Sequence, residues 1–359
     1  MNLGFFMMPL HPPAKDRTQC FDEDLEFVER AEDLGFVEGW VGNHESLPWE
    51  PIAGNDIFLS AAFQRTKTIR LGPGVIIMPH NHPVKVASSI ALLDHLSHGR
   101  MYFGFGQSGV PTDMELFNIT DPKTQGLMTV ECLDMVLKLW STPPPYEFKG
   151  QFWTIKNQSV VPEFGNGELL KPLQKPHPPI GTSIVRAPSI GAKMAGARGY
   201  IPMSTNLVAP RIVKAHWESY ADGAREAGQP EAKRSIWRVC RNVFIGESDD
   251  EAFDFAYNSA LADSYIYLRS LFAGYKMLDL MKTDPGITDE QVDREYLVRN
   301  LCLLGTVDTV SQQLQDLYDN LGGFGTLLMT TNDWDDKAKW INSIERLAKE
   351  VIPAMPNPH

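Results

Sequence analysis

The chain has 359 residues, 43% of them apolar, and a formal charge of −12. An acidic chain of this kind repels phosphate backbones, which argues against nucleic-acid binding. No apolar run is long enough to span a bilayer, and the four scattered cysteines (Cys20, Cys132, Cys240, Cys302) form no CxxC pair, which fits reduced thiols in a cytoplasmic protein.

Strand-like and helix-like segments alternate along the chain. Met1–Leu10 is apolar but has neither a basic leader nor a small-residue cleavage site, so it reads as a first buried strand over Asn2–Met8. A helix over Asp22–Leu34 follows, then a second strand, Val37–Val41, ending at Gly42-Asn43-His44-Glu45. After a helix over Asp56–Gln64, the stretch Thr68–Gly109 makes one strand–helix–strand unit. Its first strand is branched and apolar (Ile69, Leu71, Val75–Ile77), which suits burial. The interruption Gly72-Pro73-Gly74 marks a bulge or a close backbone approach. Pro83 suits a first helical position, Val86, Ile90 and Leu93 form one stripe, and Gly99 closes the helix before a fourth strand at Met101–Phe105. A helix over Leu127–Trp140 comes next, and strands five to seven fall at Pro178–Ser183, Tyr200–Thr205 and Trp237–Ile245. Ser248–Glu251 is a capping box, Phe324–Thr330 an eighth strand, and Trp334–Ile352 a last helix.

Eight strands alternating with helices define an α/β chain whose expected fold is a (β/α)₈ TIM barrel, one domain over residues 1–359. Two insertions interrupt the plan, Thr142–Lys175 between strands four and five and Ala260–Gly305 before strand eight. Insertions of this size serve as lids or oligomer surfaces.

In such a barrel the chemistry lies beyond the carboxyl ends of the strands. Gly104-x-Gly106-x-x-Gly109 matches the dinucleotide fingerprint formally, but Pro111 and an irregular Thr112–Gly126 follow where a helix must start at once. The glycines then read as a place where a flat ligand approaches the backbone. His80-x-His82 raises a metal pair, yet no matching histidines lie at the later strand ends, so loop hydrogen bonding is the favoured reading and no metal is expected. Ser108 is not in a G-x-S-x-G elbow, because position 110 is Val. His44, just past strand two, is a candidate general base or cofactor partner. Gly181–Ser189 joins strand five to a helix N-terminus, an anion site to which Ser183, Arg186 and Ser189 add donors. Simple N-capping by Ser189 is the competing reading.

Leu92-Leu93-Asp94-His95-Leu96-Ser97-His98-Gly99-Arg100-Met101-Tyr102-Phe103-Gly104 resembles the "LD-x-x-S-x-GR-x-x-x-G" segment of bacterial luciferase-like flavin monooxygenases. His82-Pro83-Val84, Phe148-Lys-Gly150-Gln-Phe152-Trp153, Gly305–Val310 and Gly322–Leu327 resemble further motifs of that family. Asn43-His44-Glu45 stands where the family has E-H-H and keeps the central histidine, while Gln107 stands where luciferases carry a phosphate-binding arginine. Within the family, His11-Pro12, Trp49-Glu50-Pro51-Ile52 and Ala195–Ser204 look like the limonene and diketocamphane monooxygenase branch.

The resemblance implies a homodimer, formed through barrel helices, that binds reduced FMN supplied by a separate NAD(P)H:flavin reductase. It implies oxygenation of a small apolar substrate, a terpene-like ketone or alkene, with His44 as the catalytic residue. The expected cofactor-binding set is Gly74, Gly106 and Ser108 for the ring and Ser183, Arg186, Ala187 and Ser189 for the phosphate. Phe6, Met8, Trp40, Met78 and Met203 are substrate-pocket candidates whose alternative place is the barrel core. The rival functions are a deazaflavin-dependent oxidoreductase of the same fold and a flavin-binding protein without catalysis.

Overall fold

The computed structural model describes residues 1–8 and 10–356. In chain order the strands are β1 (Asn2–Met7), β2 (Glu38–Val41), β3 (Arg70–Pro73), β4 (Ile76–Ile77), β5 (Phe103–Gly106) and β6 (Glu147–Lys149). They continue as β7 (Thr154–Lys156), β8 (Ile180–Ile184), β9 (Ile201–Ser204), β10 (Arg238–Ile245), β11 (Cys302–Gly305) and β12 (Thr326–Thr330). The main sheet is parallel and runs β3-β2-β1-β12-β10-β9-β8-β5-β4. It closes because β3 also meets the start of β5: the Leu71 amide donates to Arg100 O (3.1 Å) and the Tyr102 amide to Leu71 O (2.8 Å). With β3 and β4 as one broken stave, the result is the expected eight-stave (β/α)₈ barrel.

The break between β3 and β4 is the close approach that Gly72-Pro73-Gly74 announces. A Cβ on Gly104 would lie 1.8 Å from Pro73 O, and one on Gly72 would lie 2.7 Å from Tyr102 Cβ. Only glycine fits where two backbones come this near. The floor of the barrel is polar, with its central charges paired. Arg238 makes a two-pronged contact with the Glu38 carboxylate (2.9 and 2.8 Å), which also accepts from Trp40 Nε1 (3.1 Å). Trp40 stacks on Tyr102 at 4.9 Å, filling the barrel just above this pair. Outside, helix Arg17–Asp33 packs onto β1, with Phe27 edge-on to Phe5 at 5.2 Å.

Two local features depart from the sequence reading. Cys302–Gly305 lies inside the segment read as a mainly helical insertion, yet it forms β11. The eight residues of β10 outrun β12, so Arg238–Arg241 pairs with β12 and Asn242–Ile245 is left to pair with β11. Pro111–Leu116, within the stretch read as irregular, is a short helix with Pro111 in its first turn. The excursion Thr142–Lys175 contains the hairpin β6–β7, held down by Glu131, whose carboxylate accepts from the amides of Gln151, Phe152 and Trp153. Among the described residues no helix is long and apolar enough to cross a membrane. The four cysteines are free and buried.

Candidate active site at the carboxyl ends of the strands

The chain leaving β2 carries His44 onto the carboxyl-terminal rim, where its amide donates to Ile52 O (3.2 Å). The short helix after β5 brings Asp113 to meet it, with Nδ1 of His44 2.8 Å from Oδ2 of Asp113. Asp113 is wholly buried, and its other oxygen accepts from the Ser46 amide (2.9 Å) and the Ser46 hydroxyl. A carboxylate at Nδ1 fixes the proton there and leaves Nε2 to face the mouth. On that side Glu50, 3% exposed, places Oε2 3.6 Å from Nε2, too far for a hydrogen bond. Burial lowers the His44 pKa, but Glu50 and Asp113 outweigh it and the net direction is up. Burial pushes the Glu50 carboxyl up, whereas its bonds to His44 and Ser46 hold Asp113 down despite burial.

The insertion before β12 closes over this corner. Tyr267, on helix Ala260–Gly274, stacks on Trp49 at 5.4 Å, and Trp49 belongs to the same loop as His44 and Glu50. Ten residues further along the insertion, just past the end of that helix, Met277 Sδ accepts from Arg186 Nη2 (2.9 Å). The insertion thus touches both the histidine corner and the expected anion site.

At that anion site Ser189 caps helix Ile190–Arg198, its hydroxyl accepting from the Ala192 amide (3.0 Å), while its own amide donates to Ser219 (3.2 Å). The capping reading is therefore correct for the Ser189 side chain. Arg186 is exposed, with a weakly accepting thioether as its hydrogen-bond partner, so its charge is available to an anion. A Cβ on Gly191 would meet only Ser189 Oγ, at 3.7 Å, so the first turn of the helix is open to approach. Ser183 is half-buried on β8, and Ala187 is half-buried in the turn after it.

The ring-side candidates are less uniform. Gly74 is buried, and a Cβ there would press on Phe6 and Trp40 at 3.0 and 3.1 Å. Gly106 is half-buried against Val75. Ser108 is buried and its hydroxyl accepts from the Val110 amide (3.1 Å), so it serves its own turn. The five pocket candidates all join the continuous core. Trp40, Met78 and Met203 have no exposed surface, and Trp40 is committed to the floor through Glu38, so these three are core residues. Phe6 and Met8 keep slight exposure.

His82 caps helix Pro83–Leu96 through Nδ1, which accepts from the Val84 amide (3.3 Å), whereas His80 stacks on Phe117 at 4.0 Å and, among the described residues, neither of its ring nitrogens has a hydrogen-bond partner, so the loop-bonding reading holds for His82 alone. The sequence reading did not anticipate a buried charge cluster in which His11 touches Asp333 (2.5 Å) and Asp24 (3.2 Å). His11, Glu23 and Asp333 have the spacing of a metal site, but Lys15 Nζ lies 2.5 Å from Glu23 and 2.7 Å from Asp333, supplying the cation. Asp113 escaped notice because it lies far along the chain from His44. Its only local sign is an acid in the first turn of a helix that begins with Pro111.

A parallel (β/α)₈ barrel with a carboxylate-oriented histidine on its carboxyl-terminal rim, roofed by an insertion, is the architecture of a barrel enzyme. The chain belongs to the luciferase-like monooxygenase family, whose model matches residues 1–325. It is 30% identical to 4-hydroxyprotoasukamycin monooxygenase of Streptomyces nodosus subsp. asukaensis, over 98% of this chain and 92% of that protein. It is also 30% identical to limonene 1,2-monooxygenase of Rhodococcus erythropolis, over 98% and 86% respectively. Among solved structures, it resembles the oxygenating constituent of 3,6-diketocamphane monooxygenase from Pseudomonas putida, a type II Baeyer–Villiger enzyme in complex with FMN. That match has a TM-score of 0.91 and 29% identity, covering 100% of this chain and 99% of that one.

Proposed function

We propose that this protein is the oxygenating component of a two-component monooxygenase. It takes reduced FMN from a separate NAD(P)H:flavin reductase and oxygenates a small apolar substrate, a terpene-like ketone or alkene. The observation that carries the reading is the His44–Asp113 pair on the rim (2.8 Å), with the insertion packed against its loop through Trp49 and Tyr267.

The residues fit the cofactor. Arg186, which no carboxylate among the described residues pairs with, and the open first turn at Gly191 suit the FMN phosphate, with Ser183 and Ala187 beside them. Reduced FMN, once bound, supplies the electrons that activate O₂. Around it, His44 holds or accepts a proton at Nε2 while Asp113 keeps the Nδ1 proton and the ring orientation. The insertion excludes water, which such chemistry needs to avoid wasteful side reactions. We also propose a homodimer through the neighbouring helices Asn55–Arg65 and Pro83–Leu96, because Ile57, Leu92 and Leu96 stand 75%, 51% and 42% exposed there.

The test is to add photoreduced FMN under air and then a panel of terpenes and ketones with product analysis. Oxygenated product that depends on reduced FMN and is lost in His44→Ala supports the reading. Hydrogen peroxide as the sole outcome across the panel contradicts it.

A further inference from the structure

The corner beside His44 contains a close but unbonded pair and, on the roof stacked over the neighbouring Trp49, an unpaired hydroxyl. His44 Nε2 and Glu50 Oε2 are 3.6 Å apart, beyond hydrogen-bond distance. The Tyr267 hydroxyl is buried and has no hydrogen-bond partner among the described residues, although its ring is fixed against Trp49. A buried hydroxyl left unpaired is destabilising, and such groups persist where something outside the fold completes them. Burial pushes the Tyr267 hydroxyl well up, and Glu50, Tyr275 and Asp113 add to the effect, so it keeps its proton and is a donor at any working pH. The nearby carboxyl groups of Glu50 and Asp113 disfavour an anionic ligand. What suits the corner is a neutral molecule with an acceptor oxygen and an apolar body to lie beside the Trp49 indole.

We propose that Tyr267 is a specificity-determining residue that donates a hydrogen bond to the carbonyl oxygen of a neutral ketone substrate beside His44. This deepens the oxygenase reading and rests on it. It favours ketones over plain alkenes, because an alkene leaves the hydroxyl unpaired. It also explains why the tyrosine comes from the insertion and not from the barrel: the insertion would then recognise the substrate as well as cover it.

The experiment uses the full chain with saturating oxidised FMN and two probes of similar shape, 2-norbornanone and norbornene. Binding is followed by tryptophan fluorescence, and turnover with reduced FMN is followed separately. Wild type should bind the ketone about 10-fold more tightly than the alkene, and Tyr267→Phe should lose that preference. The variant should keep its FMN affinity and its alkene affinity, with the loss confined to the ketone, whose KM should rise about 10-fold. Equal binding of the two probes by wild type, or an unchanged preference in Tyr267→Phe, overturns the proposal. Tyr267→Leu removes the ring as well as the hydroxyl and should weaken both probes. If it weakens the ketone alone, ring packing is excluded as the cause and the hydroxyl assignment stands. A Tyr267-dependent ketone preference with hydrogen peroxide as the sole outcome across the whole substrate panel would leave this assignment standing and remove the oxygenase reading.

Discussion

The side chains of His44 and Asp113 meet at 2.8 Å across 69 residues of sequence, one from the loop after β2 and the other from the short helix after β5. The contact ties two strand ends together and sets which imidazole nitrogen faces the mouth. Asp113 also binds the Ser46 amide and hydroxyl, so the carboxylate is held from two sides and cannot swing away when His44 changes protonation.

Asp113→Asn should therefore lower the His44 pKa. In the native protein the neighbouring carboxyls raise it against the effect of burial. A neutral imidazole is needed to accept a proton, so the acid limb of the pH–rate profile should move to lower pH in the variant. The plateau rate should fall roughly 10- to 100-fold from lost orientation. An acid limb that stays in place would show that His44 is not the titrating group.

The His11 cluster predicts a stability that falls in alkali. Burial lowers the His11 pKa, but Asp24 and Asp333 more than reverse this and raise it to about 9, from an ordinary 6.5. A raised pKa means the stabilisation is complete below 6.5 and is lost as pH climbs through about 9. The upper bound is roughly 3 kcal/mol. Urea unfolding of wild type and His11→Gln at pH 6 and pH 9.5 should show the loss in wild type alone.

The floor pair predicts a large single-site effect. Glu38→Gln removes the charge that Arg238 needs while the guanidinium stays inside the barrel. Breaking a buried pair on one side costs roughly 3–5 kcal/mol. Denaturant midpoints should register this, and FMN binding by the folded fraction should be unchanged, because the pair lies at the end of the barrel away from the rim.

Two glycines of the same motif should respond in opposite ways. Gly104→Ala would place Cβ 1.8 Å from the Pro73 carbonyl, so β3 and β5 must move apart. Overpacking of this kind costs roughly 1–3 kcal/mol and occasionally more. A Cβ on Gly109 meets nothing within 4 Å, and Gly109→Ala should leave the melting temperature unchanged. A loss from Gly109→Ala as large as that from Gly104→Ala would overturn this packing account.

Charging the exposed leucine stripe should separate the proposed dimer. Leu92→Glu with Leu96→Glu should elute as a monomer in light scattering and keep its far-UV spectrum, since both side chains point outward. A variant of unchanged mass would place the interface elsewhere.

The barrel was legible because its strands are short, branched and buried, and its helices carry capping signals such as Ser248, whose hydroxyl accepts from the Glu251 amide (3.1 Å). Position past a strand end marked His44 and the Ser183–Ser189 turn as candidates, and the Leu92–Gly104 segment marked the family. β11 was not legible, since its pairing depends on the length of β10 and not on anything in its own residues. The role of Trp40 was equally hidden. An aromatic at a strand end suits the pocket or the core alike, and only its bond to Glu38 decides.

The amino-acid sequence by itself determined the alternation of strands and helices, the two insertions and the residue types available at each strand end. These follow from local periodicity, caps and turns. The tertiary structure decided that Asp113 and Glu50 flank His44, that Trp49 and Tyr267 roof it, and that Lys15 sits among His11, Glu23 and Asp333. Those relations join residues from different strand ends, and they exist only because closing the sheet into a barrel brings all its carboxyl-terminal loops onto one rim.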